Sequence, residues 1–127
     1  MRDTRLAQLA MGDMAADIIA AACYARRSSS FASAPKLMVW SGHDSTIFGL
    51  LAVFALDAPV AWPPYAAQLH VEVLEEVAGR ERACGWYVRF SLNGEVLKCA
   101  LGACSAEPAA VVPLDVFESA ILELDST

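Results

Sequence analysis

The run Leu37-Met38-Val39-Trp40, leading into Ser41-Gly42-His43-Asp44-Ser45-Thr46, restricts this chain more than any other stretch. Four consecutive apolar residues led in by Pro35 have the length of a short buried strand. Beyond the polar turn, Ile47, Leu50, Leu51 and Phe54 fall at i, i+3, i+4 and i+7 and share one face of a helix. The pattern predicts strand, tight turn and amphipathic helix, with Asp44, Ser45 and Thr46 all able to cap the helix start. His43 and Asp44 then stand where a strand ends and a helix begins. Such a place offers unpaired N–H groups and the positive end of the helix dipole to an anion.

The rest of the chain must supply that strand with neighbours. Its 127 residues suit one domain with one modest core. A composition 57% hydrophobic and 19% charged is globular. The net charge of −6 argues against a nucleic-acid partner, whose phosphates call for Lys and Arg. The longest apolar runs, 18–25 and 47–56, are shorter than the ~20 residues of a bilayer helix, so no membrane span is expected. Asp3, Asp13 and Asp17 interrupt the N-terminal stretch, which therefore does not read as a signal peptide.

Four cysteines, Cys23, Cys84, Cys99 and Cys104, form no C-x-x-C pair, and His43 and His70 have no ligand spacing with them. No metal or other cofactor is implied. Cys23 reads as a buried or free thiol, whereas Cys84, Cys99 and Cys104 are close enough in sequence for a disulfide whose pairing stays open.

In chain order, an Ala-rich helix is expected from Thr4 to Arg26. Leu6, Ala10, Met14, Ile18 and Ala22 recur every four residues, Arg5, Asp13 and Asp17 face water, and Gly12 suggests a packing constraint. Asp57-Ala58-Pro59 is expected to stop the central helix, and Trp62-Pro63-Pro64-Tyr65-Ala66 to be extended. Leu69, Val71 and Val73 alternate with His70 and Glu72 as in a strand. Gly79 to Ala83 reads as a charged turn. Trp86, Val88, Phe90 and Leu92 alternate with Tyr87, Arg89 and Ser91 in a second strand, and Asn93-Gly94 turns it back through Val96 and Lys98. A loop from about Ala100 to Val112 precedes a last helix opened by Pro113, with Leu114, Phe117, Ile121 and Leu124 on its buried face. One strand buried on both faces, with helices around it, is an odd α/β domain with few partners for that strand.

Three stretches together resemble the histidine acid phosphatases, in the branch that includes prostatic and lysosomal acid phosphatase. They are Ser41-Gly42-His43-Asp44-Ser45-Thr46; Pro63-Pro64-Tyr65-Ala66 with Glu72 after it; and Leu101-Gly102-Ala103-Cys104-Ser105 followed by Pro113-Leu114 and Phe117. The resemblance implies an α/β, phosphoglycerate-mutase-like three-layer α/β/α fold. Residues 1–127 would form a single, incomplete domain, the C-terminal portion without the nucleophile strand. The family's Arg-His-Gly-x-Arg-x-Pro signature is absent from this sequence, and no cysteine follows Cys104 to close the family's small loop.

By the same resemblance the activity is phosphomonoester hydrolysis through a phosphohistidine. Asp44 would be the proton donor, His43 would donate a hydrogen bond to a phosphoryl oxygen, and Ser45 and Thr46 would help bind substrate. The substrate would be a phosphate monoester. The chain would be inactive alone, needing an N-terminal half, and its open sheet edge would favour self-association. A phytase-like or inositol-polyphosphate phosphatase of the same superfamily is the alternative enzyme, and a non-catalytic interaction remnant the alternative class. Family members are often lysosomal, secreted or at the cell surface, but Asn93 lies in no glycosylation sequon, so the compartment is left open. A helix start favours the charged form of Asp44 and opposes a general-acid role, while a bound phosphate dianion raises its pKa. His70 reads as a polar residue on an exposed strand face, Glu72 is ambiguous, and Arg26, Arg27, Arg80 and Arg82 read as solvated charges. Trp62, Tyr65, Trp86 and Phe90 read as packing residues.

Overall fold

The computed structural model describes residues 4–27, 35–58, 61–76, 85–101 and 108–125. Among them the architecture is mixed α/β, with three helices and a four-stranded antiparallel sheet. Helix α1 is Thr4–Arg27 and α2 is Asp44–Val53. Strands β1 (Leu69–Glu75), β2 (Trp86–Leu92), β3 (Glu95–Leu97) and β4 (Val111–Pro113) follow, and α3 (Leu114–Asp125) closes the order.

Strand β2 is the centre of the sheet. Its alternation puts Val88 and Phe90 into the core, and the register pairs them with Val73 and Val71 of β1 on the same face. Asn93 and Gly94, with φ of 50° and 89°, form the tight turn that this dipeptide favours, and β3 returns along β2. Strand β4 was not expected: Val111 and Val112 end the expected loop and Pro113 was expected to open the last helix, which begins instead at Leu114. It pairs with the first half of β2 (Tyr87 with Pro113, Arg89 with Val111), while β3 pairs with the second half. The opposite face carries the partly exposed ion pair Arg89 Nε to Glu72 Oε2 at 2.7 Å.

Helix α1 buries Ala15, Ile18, Ile19, Ala22 and Cys23, but Leu6 and Ala10 in its first turns are exposed, so the expected apolar stripe meets the core only from its middle onward. A Cβ at Gly12 would meet nothing within 4 Å, so no close approach accounts for that glycine. Helix α2 ends before the expected stop. Ala55 takes φ 48°, its N–H reaches Ala52 O at 3.1 Å, and that of Leu56 reaches Leu51 O at 2.9 Å, an αL termination in which Ala stands where glycine is usual. Phe54 packs against Phe90 and Phe117 with ring centroids 5.2 and 5.4 Å away. Leu114, Phe117 and Ile121 line the buried face of α3 as expected; the side chain of Leu124 lies outside the described residues.

Three further expectations need correction. Leu37–Trp40 is not a buried strand: it has no regular secondary structure and belongs to no sheet among the described residues, and its relative exposures are 80%, 48%, 81% and 40%. That alternation is the side-chain alternation of an extended chain with one face toward the protein. The residues have strand propensity, but no described strand lies beside them. Trp62–Pro64 forms no helix, strand or turn, but Tyr65 and Ala66, expected to be extended, turn instead, with Ala66 at φ 57° and Ala67 N–H on Pro64 O at 3.2 Å. Arg26 is not a merely solvated charge. It bonds Asp115 and, at 3.0 Å, Glu118 of α3, because the two helices bring their ends together. Cys99 is a free buried thiol whose S–H donates to Phe54 O at 3.1 Å, and Cys23 is free and buried. Cys84, Cys104, Arg80, Arg82 and the turn from Gly79 to Ala83 lie outside the described residues.

Phe90→Ala should cost about 3–5 kcal/mol, most of the stability of a small domain, read from the urea midpoint. Hydrogen bonding from Arg26 holds the Glu118 carboxyl below its usual range. A depressed carboxylate stabilises the fold above its unfolded pKa and loses that effect as pH falls through the folded value. Arg26→Ala should therefore cost up to about 1 kcal/mol at neutral pH. That difference should close on acidification, which urea titrations at neutral and acid pH will read.

Candidate functional site

The turn that carries His43 and Asp44 is built by α2. His43 has extended backbone (φ −107°, ψ 171°) and is the residue before the helix, so the cap is His43 rather than Asp44, Ser45 or Thr46. Thr46 folds back so that its Oγ1 accepts the His43 N–H at 3.1 Å, while Thr46 N–H donates to His43 O at 3.1 Å. This reciprocal arrangement fixes the entry into the helix. It also explains Gly42: a Cβ there would sit 3.0–3.1 Å from three atoms of the Thr46 side chain. The hydroxyl expected to help bind substrate is thus already a hydrogen-bond acceptor within the turn.

Asp44 is the first residue of α2, and its carboxylate is exposed. Ser45 N–H donates to Oδ1 at 2.7 Å. Trp62 Nε1–H donates to Oδ2 at 2.6 Å, across 18 residues of sequence. The indole is held in turn by stacking on Phe48, one helical turn further along α2, with centroids 5.0 Å apart and planes 27° apart. Both carboxylate oxygens therefore have a donor. The Asp44 carboxyl is held below its usual range, first by the Trp62 hydrogen bond, then by the Ser45 amide, with a smaller contribution from the charge of His43. Alone, the turn presents a fixed anion rather than a protonated acid.

Other singled-out residues lie apart from this contact. His70 is exposed on β1, with Nε2 3.2 Å from Gln68 Oε1. Glu72 is engaged by Arg89, which holds its carboxyl below the usual range. Tyr65 is fully exposed, Trp86 is half-buried and Phe90 is in the core. Among the described residues no group of three His, Cys, Asp or Glu side chains could hold a metal ion, and no helix is long and apolar enough to cross a membrane. Trp62 is the site residue that the sequence reading missed. Only its place directly before Pro63-Pro64, which stiffens the approach, hinted at a fixed ring.

Comparison with models of protein families, with curated proteins and with solved structures finds no match.

Replacing Thr46 by Val keeps its shape and removes the acceptor of the His43 N–H. Thr46→Val should lower stability by about 0.5–1.5 kcal/mol, read as a lower melting temperature with unchanged helix content in circular dichroism.

Proposed function

We propose that the chain contributes the proton-donor turn of a histidine-type phosphomonoesterase, as the C-terminal portion of a phosphoglycerate-mutase-like three-layer α/β/α domain. One observation carries the reading: the apolar segment Leu37–Trp40 is exposed and paired with no described strand, and it runs directly into an exposed His43-Asp44 pair at the start of α2. In open α/β sheets ligands bind beyond the carboxyl ends of strands, where helices begin. The resemblance of three ordered motifs to the histidine acid phosphatases supplies the chemistry.

In that chemistry a histidine on the complementing half attacks phosphorus, the P–N bond forms, and the ester P–O bond breaks. Asp44 gives its proton to the departing alkoxide. Water then attacks the phosphohistidine and the Asp44 carboxylate takes its proton, returning the histidine and releasing phosphate. His43 and the amides at the start of α2 donate to phosphoryl oxygens. The phosphate dianion raises the pKa of Asp44, and an acidic medium completes its protonation.

The test is complementation. The chain alone should show only background on an aryl phosphate at acid pH. Mixed or fused with an N-terminal half that carries Arg-His-Gly-x-Arg-x-Pro, it should gain turnover that Asp44→Asn lowers by about 10²–10⁴-fold, with KM changing far less. The amides of Met38, Val39 and Trp40 should exchange fast in the isolated chain and slowly in the assembled pair. Assembly without turnover would leave the interaction-remnant reading; neither slowed exchange nor turnover would overturn both.

A further inference from the structure

We propose that Trp62 is a positioning residue for Asp44: its indole N–H, aimed by the stack on Phe48, fixes where the carboxylate points and sets when it carries a proton. The inference rests on the role proposed for Asp44, but the geometry beneath it does not. A carboxylate on the first residue of a helix is ordinarily free to turn toward solvent, with only local amides to meet it. Here Oδ2 receives an N–H at 2.6 Å from a separate segment, and that donor is a ring with a second, face-on constraint 5.0 Å away. Pro63 and Pro64 follow directly and restrict the backbone that carries it. The Ser45 amide on Oδ1 completes a two-point hold, so rotation of the carboxylate breaks one bond or the other. An N–H donor stabilises the charged form, so Trp62 keeps Asp44 ionised until an anion or a lower pH opposes it. The groups that bear on Asp44 are Ser45 from α2, His43 from the turn and Trp62 from the loop, with Phe48 behind the indole; of these, His43 is the titratable one.

Trp62→Phe keeps a ring to stack on Phe48 and deletes the N–H. In the 127-residue chain, the carboxyl carbon of Asp44 followed by NMR should titrate at a higher pH in this variant than in the parent. The same upward difference should persist in a His43→Gln background, which separates the indole from the neighbouring charge. The parent itself gives a second readout that needs no stable Trp62 variant. The Trp62 Nε1–H resonance should shift with pH at the Asp44 midpoint, and Asp44→Asn should abolish that inflection. An Asp44 midpoint unchanged in Trp62→Phe, or an indole resonance flat across the carboxylate range, overturns the proposal. In the complemented enzyme, Trp62→Phe should move the basic limb of the pH–rate profile to higher pH with KM nearly unchanged. Absence of turnover there would count against the phosphatase reading and leave the titration result standing, so the two failures are distinguishable.

Discussion

Three phenylalanine rings hold this fold together. Phe54 follows α2, Phe90 is in the middle of β2 and Phe117 lies on the inner face of α3, with all three centroid separations between 5.2 and 5.4 Å. Each ring is at most 1% exposed, so each contributes nearly its whole apolar area to the core. The mutual tilts, from 36° to 60°, are the offset and edge-on geometries that ring quadrupoles favour. The αL turn at Ala55 matters because it stops α2 just as Phe54 reaches this cluster and sends the chain to pair Leu56 with Cys99. Phe54 thus ties the end of α2 to β2 and α3, while α1 packs along the helix that carries Asp44.

Much of this was legible in the residues. The alternation in Leu69–Val73 and Trp86–Leu92, the Asn93-Gly94 turn and the apolar spacing of Leu114, Phe117 and Ile121 each describe a local preference that tertiary packing reinforces. The misses share a physical cause, namely partners distant in sequence. β4 is a strand only because β2 has room on one edge for both β3 and β4. Arg26 is held because α3 brings Asp115 and Glu118 to the end of α1, about 90 residues on. Leu37–Trp40 failed in the opposite sense: its propensity was read correctly and its burial was not, since burial of a strand depends on neighbours that no local pattern specifies.

The candidate site divides the same way. That His43 and Asp44 stand at the start of a helix was legible from the apolar period that follows them. That Thr46 closes the turn back onto His43 follows from a hydroxyl residue three positions on, although the cap is His43 and none of Asp44, Ser45 and Thr46, the expected candidates. Trp62 was beyond reach, because no spacing rule links an indole to a carboxylate 18 residues away. The most informative contact of the site was therefore the least predictable one.

A general acid benefits from a pKa near the operating pH, yet every polar contact of Asp44 in this chain favours its anion. The two facts are compatible if the acid is prepared by its substrate. In the proposed reaction a phosphate dianion at the start of α2 would compete for the same N–H groups and raise the cost of a second negative charge beside it. On the role proposed for Asp44, the carboxylate would then take up a proton in the bound state without having carried one in the free state, so that the proton is there when a leaving group needs it. A carboxyl buried in an apolar pocket would be protonated at rest and would need no such partner. An exposed one on a helix start, gripped by Ser45 and Trp62, changes state only when a neighbouring anion or a lower pH opposes those contacts. On the role proposed for Asp44, the contacts of this turn would make proton delivery conditional on a bound phosphate.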